Sequence, residues 1–342
     1  MQCQTAPRLT VISNNVVINI MAMDYGSGVA PNGATGMGGY AISAAQGTYQ
    51  QAQNAGLTNI KIGITPMIGK NDVQGEVFRV EDARLLLTFS LANAWVGMIS
   101  YWSINRDVFN LSGALYQSSQ ITQNNLDFAN ILVKFQSSAP TTPVVVTPPA
   151  TTVPVASGGN MGYVWGKNVF APYCDVTWNT PFDLVAMAGK SGTARFTLAF
   201  IIADNNGKPA WGGYIPLSNN HYWTQISKLR MFGGDVIISF GGAGGTELAL
   251  VTTNVRTLQG YYQNVLDAYS VSWLDFDVEG GALGNRASID RRNQAIRALQ
   301  VAQPALRISY TLPVEPYGLT NDGVYLLESA VKYGVRVDGK VY

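Results

Sequence analysis

The sequence predicts an α/β fold, a (β/α)8 TIM barrel, on three observations. Apolar strand-like runs alternate with helical stretches along most of the chain, the pattern of a parallel sheet wrapped by helices. Eight such runs can be read, three before a Thr/Pro-rich segment and five after it, and neither side alone holds enough strands to close a barrel. One of them, Ser272-Trp273-Leu274-Asp275-Phe276-Asp277-Val278-Glu279-Gly280, enters a loop at glycines, which places its last side chains at the carboxyl end of a sheet, where sites in α/β folds lie.

The first strand covers 16–23 and ends at Asp24-Tyr25-Gly26; a glycine-rich stretch follows, with 36–39 read as a flexible loop over the cleft and a helix near 40–55. The second covers 60–68, with Pro66 close to its end, and leads to a helix near 80–94. The third covers 95–102, runs into Ser103-Ile104-Asn105-Arg106-Asp107, and precedes a helix near 124–135. At 137–159 the text SSAPTTPVVVTPPATTVPVASGG cannot pack a core and favours an extended tether. Five strands follow, at 169–172, 195–203, 235–240, 272–279 and 307–312, with helices at 246–269, 289–302 and 322–333. The chain thus divides into 1–136, a linker at 137–159, and 160–342, the outer pieces together forming one domain.

Composition narrows the partners. A net charge of +1 with 13% charged residues over 342 gives no basic stripe for nucleic acid, and no apolar run reaches a membrane span. A neutral polymer suits the chain better; seven Trp and 17 Tyr offer flat faces that stack on sugar rings, although most aromatics of a barrel are core. Cys3 and Cys174 define neither a disulfide framework nor a zinc spacing, and Cys174 is expected as a small buried side chain. His221 is the single histidine, which excludes a polyhistidine metal site; it is read in a loop entering a helix. No cofactor is implied, and the start of the chain lacks the basic-then-apolar order of a secretory leader.

Chemistry concentrates at 275–279. In an extended strand Asp275, Asp277 and Glu279 share one face and Leu274, Phe276 and Val278 the other. Crowded acids repel, so at least one carboxyl keeps its proton near neutral pH, an arrangement suited to general acid catalysis. A strand with a solvated polar face would read the same way. Gly241-Gly242-Ala243-Gly244-Gly245 follows a strand and precedes a helix, but lacks the lysine and spacing of a phosphate loop. Lys70-Asn71-Asp72 follows a strand end and is read as lining the cleft or as a capped turn.

The run Asp275-Phe276-Asp277-Val278-Glu279 resembles the fourth-strand signature of family 18 glycoside hydrolases, the chitinases, in their archaeal and bacterial branch. Ser239-Phe240-Gly241-Gly242 is similar to that family's third strand, Met21-Ala22-Met23-Asp24-Tyr25 to its sixth, and Ser100-Tyr101-Trp102 with Asn105-Arg106-Asp107 to its eighth. In this order the family's last strands precede the tether and its first strands follow it, as in a circular permutant; a window across a tandem array would give the same text. Where the family usually has aspartate, Ser272 stands.

The resemblance implies hydrolysis of β-1,4-linked N-acetylglucosamine with retention, the nucleophile being the substrate's own N-acetyl oxygen. It implies Glu279 as the proton donor, Asp277 as orienter of the acetamido group, Asp275 as its partner through a shared proton, and Asp24 as a contact to the acetamido or the acid. Trp102 would be the apolar floor under the reacting sugar, with Met21 and Met23 nearby; since Met23 replaces a tyrosine, Tyr25 and Tyr310 are candidates for the hydroxyl that bonds the acetamido oxygen. Trp95, Trp165 and Trp211 are expected in packing before sugar contact. Chitin or chitooligosaccharide is the implied partner, with neither nucleic acid nor membrane, for an extracellular monomer. The rivals are a catalytically silent chitin-binding lectin and an endo-N-acetylglucosaminidase.

Overall fold

A computed structural model describes residues 16–57, 59–136, 165–177 and 182–336. The Thr/Pro-rich linker expected at 137–159, and Cys3, lie outside the described residues. Among the described residues, eight parallel strands form the barrel. They are β1 Val16–Met21, β2 Lys61–Thr65, β3 Val96–Ile99, β4 in two stretches Val169–Phe170 and Tyr173–Asp175, β5 Arg195–Ala203, β6 Asp235–Gly241, β7 Trp273–Asp277 and β8 Arg307–Glu315.

Every neighbour in chain order pairs in parallel, and the ring closes. The first stretch of β4 pairs β3, its second stretch pairs β5, and β8 pairs β1 with Ile18 opposite Tyr310 and Met21 opposite Pro313. The segments on either side of the linker therefore meet at two seams, β3 with β4 and β8 with β1. Such a ring runs in the same cyclic order wherever the chain starts.

A helix follows each strand: α1 Met37–Asn54, α2 Val80–Ala92, α3 Asp127–Leu132, α4 Leu184–Ser191, α5 Trp223–Met231, α6 Val255–Tyr269, α7 Arg286–Ala302 and α8 Asn321–Lys332. Side-chain caps start several of them. Asp183 accepts from the amides of Val185 and Ala186, Asn254 from Thr257, Asn285 from Ser288, and Thr320 from Gly323. The helix expected at 246–269 is broken, a turn at Leu248–Val251 preceding α6, because Asn254 begins a new helix. Residues 36–39 are not a flexible loop over the cleft: α1 starts at Met37, and the amide of Gly38 donates to Asp82 Oδ1 at 3.0 Å. A Cβ on Gly38 would lie 2.7 Å from that oxygen, so the glycine serves close helix contact.

Strand alternation sorts the side chains into layers. Ile18, Ile20, Ile62, Ile64, Leu198, Ile238, Phe240, Leu274, Phe276, Ile308 and Leu312 are buried in the main core, against the helices. Inside the barrel, Val17, Met98, Trp165, Val169, Ala171, Ile237 and Trp273 form a separate apolar cluster that closes the lower end. Polar residues occupy the next level up, and the site stands on them. Among the described residues no helix is long and apolar enough to cross a membrane.

Candidate active site

Asp275 and Asp277 point into the barrel from β7, 1% and 5% exposed. Asp275 is held by four hydroxyls: Ser239 and Tyr173 donate to Oδ2 at 2.6 and 2.8 Å, and Ser309 and Thr311 to Oδ1 at 2.6 and 2.8 Å. These donors come from β6, β4 and β8, so the carboxyl sits at a hub joining four strands. Asn19 of β1 extends the network by donating to Thr311 at 3.0 Å, and Thr65 of β2 donates to Asn19 at 2.9 Å. Burial pushes the Asp275 carboxyl up and the four hydroxyls pull it back.

Asp277 has no such support. Its Oδ1 is buried without a hydrogen-bond partner, and burial followed by the charges of Glu279 and Asp275 pushes it well above the usual carboxylate range. The shared proton expected between Asp275 and Asp277 has no hydrogen bond to carry it. Asp275 spends its acceptor sites on hydroxyls, so the two acids act on each other through charge.

Glu279 stands just beyond β7 as an extended residue leading into a short helix, Gly280–Gly284. Burial first, then the charge of Asp24, pushes it up to about 7. Asp24, beyond β1, adopts a left-handed backbone (φ 54°), which aspartate tolerates better than most residues. Val73 donates its amide to Asp24 Oδ1 at 2.9 Å. Burial raises the Asp24 carboxyl, and the charges of Asp72 and Glu76 add to that while the Val73 amide opposes it. Glu76 in turn accepts from the amides of Tyr25 and Gly26 at 3.2 and 2.6 Å, which fixes the turn that carries Asp24.

These acids open into a cleft of about 790 Å³ at the carboxyl ends of the strands. The cleft brings together Asp24, Asp277, Glu279, Trp102, Tyr25, Met21 and Met23, all expected from sequence, and adds Tyr173, Phe200, Arg106 and Tyr214. Trp102 stacks on Phe200 with centroids 5.6 Å apart and planes 16° apart, presenting a broad apolar wall. Asp72 also lines the cleft, while Asn71 turns inward to bond the carbonyls of Met67 and Gly69.

Tyr310 does not belong to the cleft. Its hydroxyl donates to Asn293 of α7 at 2.7 Å, because Ser309 and Thr311 face the barrel interior and the residue between them must face the helices. Trp211 is fully buried and donates to Tyr269 at 2.7 Å, Trp165 packs edge-on against Trp273, and Trp95 stacks on Tyr49. All three pack against other rings, as expected. Cys174 is buried, and His221 precedes α5 in an exposed position.

Gly241 and Gly242 explain the glycine run after β6. The backbone of Gly241 is left-handed (φ 98°), and a Cβ there would lie 2.0 Å from the Asp277 carbonyl. The amide of Gly242 donates to that same carbonyl at 3.1 Å. These two glycines let β6 press against β7 beside the acids, and Ala243, Gly244 and Gly245 line the cleft. Sequence reasoning missed Tyr173 and gave no role to Ser309 and Thr311, although two hydroxyl residues at alternate positions of one strand were a readable sign of a polar inner face.

No family model matches the chain. Over 181 residues, 51% of its length, it is 39% identical to a probable bifunctional chitinase/lysozyme of Escherichia coli (strain K12). Over 179 residues it is 38% identical to endochitinase 11 of Metarhizium anisopliae. Over about half of its length the chain is similar to chitinases. Among solved structures, active domain 2 of a chitinase from Pyrococcus furiosus is 38% identical, with 49% of this chain and 54% of that one covered at a TM-score of 0.46. The match spans 20% of the Escherichia coli chitinase/lysozyme and 34% of the fungal endochitinase.

Proposed function

We propose that this protein is a chitinase that cleaves β-1,4-linked N-acetylglucosamine polymers with retention, the acetamido oxygen of the substrate serving as nucleophile. The graded row of carboxyls on β7 carries this reading. Asp275, surrounded by four hydroxyl donors, is equipped to bear charge; Asp277 above it is driven to keep a proton; Glu279, at about 7, can give and take one near neutral pH. A carboxyl that holds its proton is a poor nucleophile, which favours attack from within the substrate.

Glu279 then protonates the glycosidic oxygen and later takes a proton from the incoming water. Asp277, with Oδ1 buried and unpartnered, bonds the acetamido group, and the negative charge of the row offsets the positive charge that grows there. Asp24 keeps Glu279 protonated, and Trp102 supports the sugar face. We read residues 1–136 and 160–342 as one catalytic domain, permuted relative to the family and acting as an extracellular monomer on chitin.

The experiment is turnover of a soluble chitooligosaccharide by the parent and by Glu279→Gln. Loss of about 10²–10⁴-fold in kcat with binding retained is expected. Binding without cleavage by the parent protein would favour a silent lectin, and equal rates on fully acetylated and fully deacetylated oligomers would rule out acetamido assistance.

A further inference from the structure

The cleft is acidic, although the chain as a whole carries a formal charge of +1. Asp24, Asp72, Asp175, Asp277, Glu279 and Glu315 line it against one guanidinium, Arg106. The reaction outlined above gives no task to Glu315. Alternation along β8 puts Glu315 on the inward face with Ser309, Thr311 and Pro313. Thr311 stands opposite Asp277 and Pro313 opposite Met21. Glu315 therefore stands two residues further along the strand than the level of Glu279, roughly 7 Å nearer the opening.

Two buried polar atoms are left empty there. Glu315 Oε2 and the Tyr25 hydroxyl each lack a hydrogen-bond partner, and Tyr25 is 8% exposed. Both residues line the cleft, and they do not bond each other. Leaving buried polar groups unpaired is unfavourable unless something else supplies the missing bond.

We propose that Glu315 and Tyr25 form a recognition pair for a protonated amine on a sugar neighbouring the one cleaved, so that these two side chains set a preference for partly over fully acetylated oligomers. An ammonium group offers three donors and a charge that the surrounding carboxyls attract; an acetamido group offers one donor and no charge. The inference rests on the chitinase reading and adds to it a pair of residues that sets specificity.

The test compares kcat/KM of the full chain and of Glu315→Gln on two oligomers of equal length, one fully and one partly acetylated, at a pH where the free amine is charged. The ratio of partly to fully acetylated activity falls roughly tenfold in the variant, and in the parent it falls with added salt. An unchanged ratio overturns the pairing. Parent protein that cleaves neither oligomer overturns the hydrolase reading instead. In that event calorimetric titration of both oligomers into Glu279→Gln, with and without Glu315→Gln, decides the pair: equal affinity changes for the two oligomers refute it, and a selective loss for the amine-bearing one supports it.

Discussion

The hydroxyl of Tyr173 on β4 lies 2.8 Å from Oδ2 of Asp275 on β7, across 102 residues of sequence. The same ring packs against Trp102 and Phe200, with centroids 6.0 and 6.1 Å away. One side chain thus joins the polar floor of the barrel to the apolar wall of the cleft.

Tyr173→Phe keeps that ring contact and deletes one of the four donors to Asp275. The charge on Asp275 is then less well supported. We expect kcat to fall about tenfold with KM little changed, and stability to drop by about 1 kcal/mol. Steady-state kinetics and denaturant titration check both.

Glu279 must carry its proton to act as an acid, and its pKa lies at about 7. The expected kcat/KM therefore declines as pH rises through about 7. Asn at position 24 removes a negative charge beside Glu279, so Asp24→Asn should move that limb to lower pH. A pH profile whose alkaline limb does not move speaks against the coupling of these two groups.

Folded Glu279 binds its proton more tightly than an unfolded glutamate does, since its value is raised from 4.5 to about 7. Its contribution to stability is full below pH 4.5 and is lost as pH rises through 7, where a buried charge must be carried. Glu279→Gln removes that charge. The variant should be more stable than the parent above pH 7, by up to about 3 kcal/mol, and the two should converge near pH 4. Thermal melts across this range measure the difference.

Gly241→Ala forces a Cβ onto the Asp277 carbonyl and a left-handed backbone onto alanine. A loss of about 2–4 kcal/mol is expected, with kcat reduced because β7 must shift under its acids. Gly244→Ala, where a Cβ meets nothing within 4 Å, is the matched control.

Much of this site was legible because strand alternation needs only parity. Asp275, Asp277 and Glu279 follow from a period of two. Tyr310 misled because a tyrosine near the acids in sequence was credited with a hydroxyl near them in space; Ser309 and Thr311 on either side already claimed the inner face. The helix at Leu184–Ser191 was overlooked, though Asp183 before it and the left-handed Gly192 after it are ordinary start and stop signals; eight residues are too few to show a clear period. The Asp275 hub was out of reach for another reason. Its donors lie between 34 and 102 residues away, and only closure of the ring brings them together.

The contact of Asn19 with Thr311 spans 292 residues, and the seam between β1 and β8 spans as much. During synthesis β1 therefore leaves the ribosome long before β8 exists, and its edge stays unpaired while the residues between them are translated.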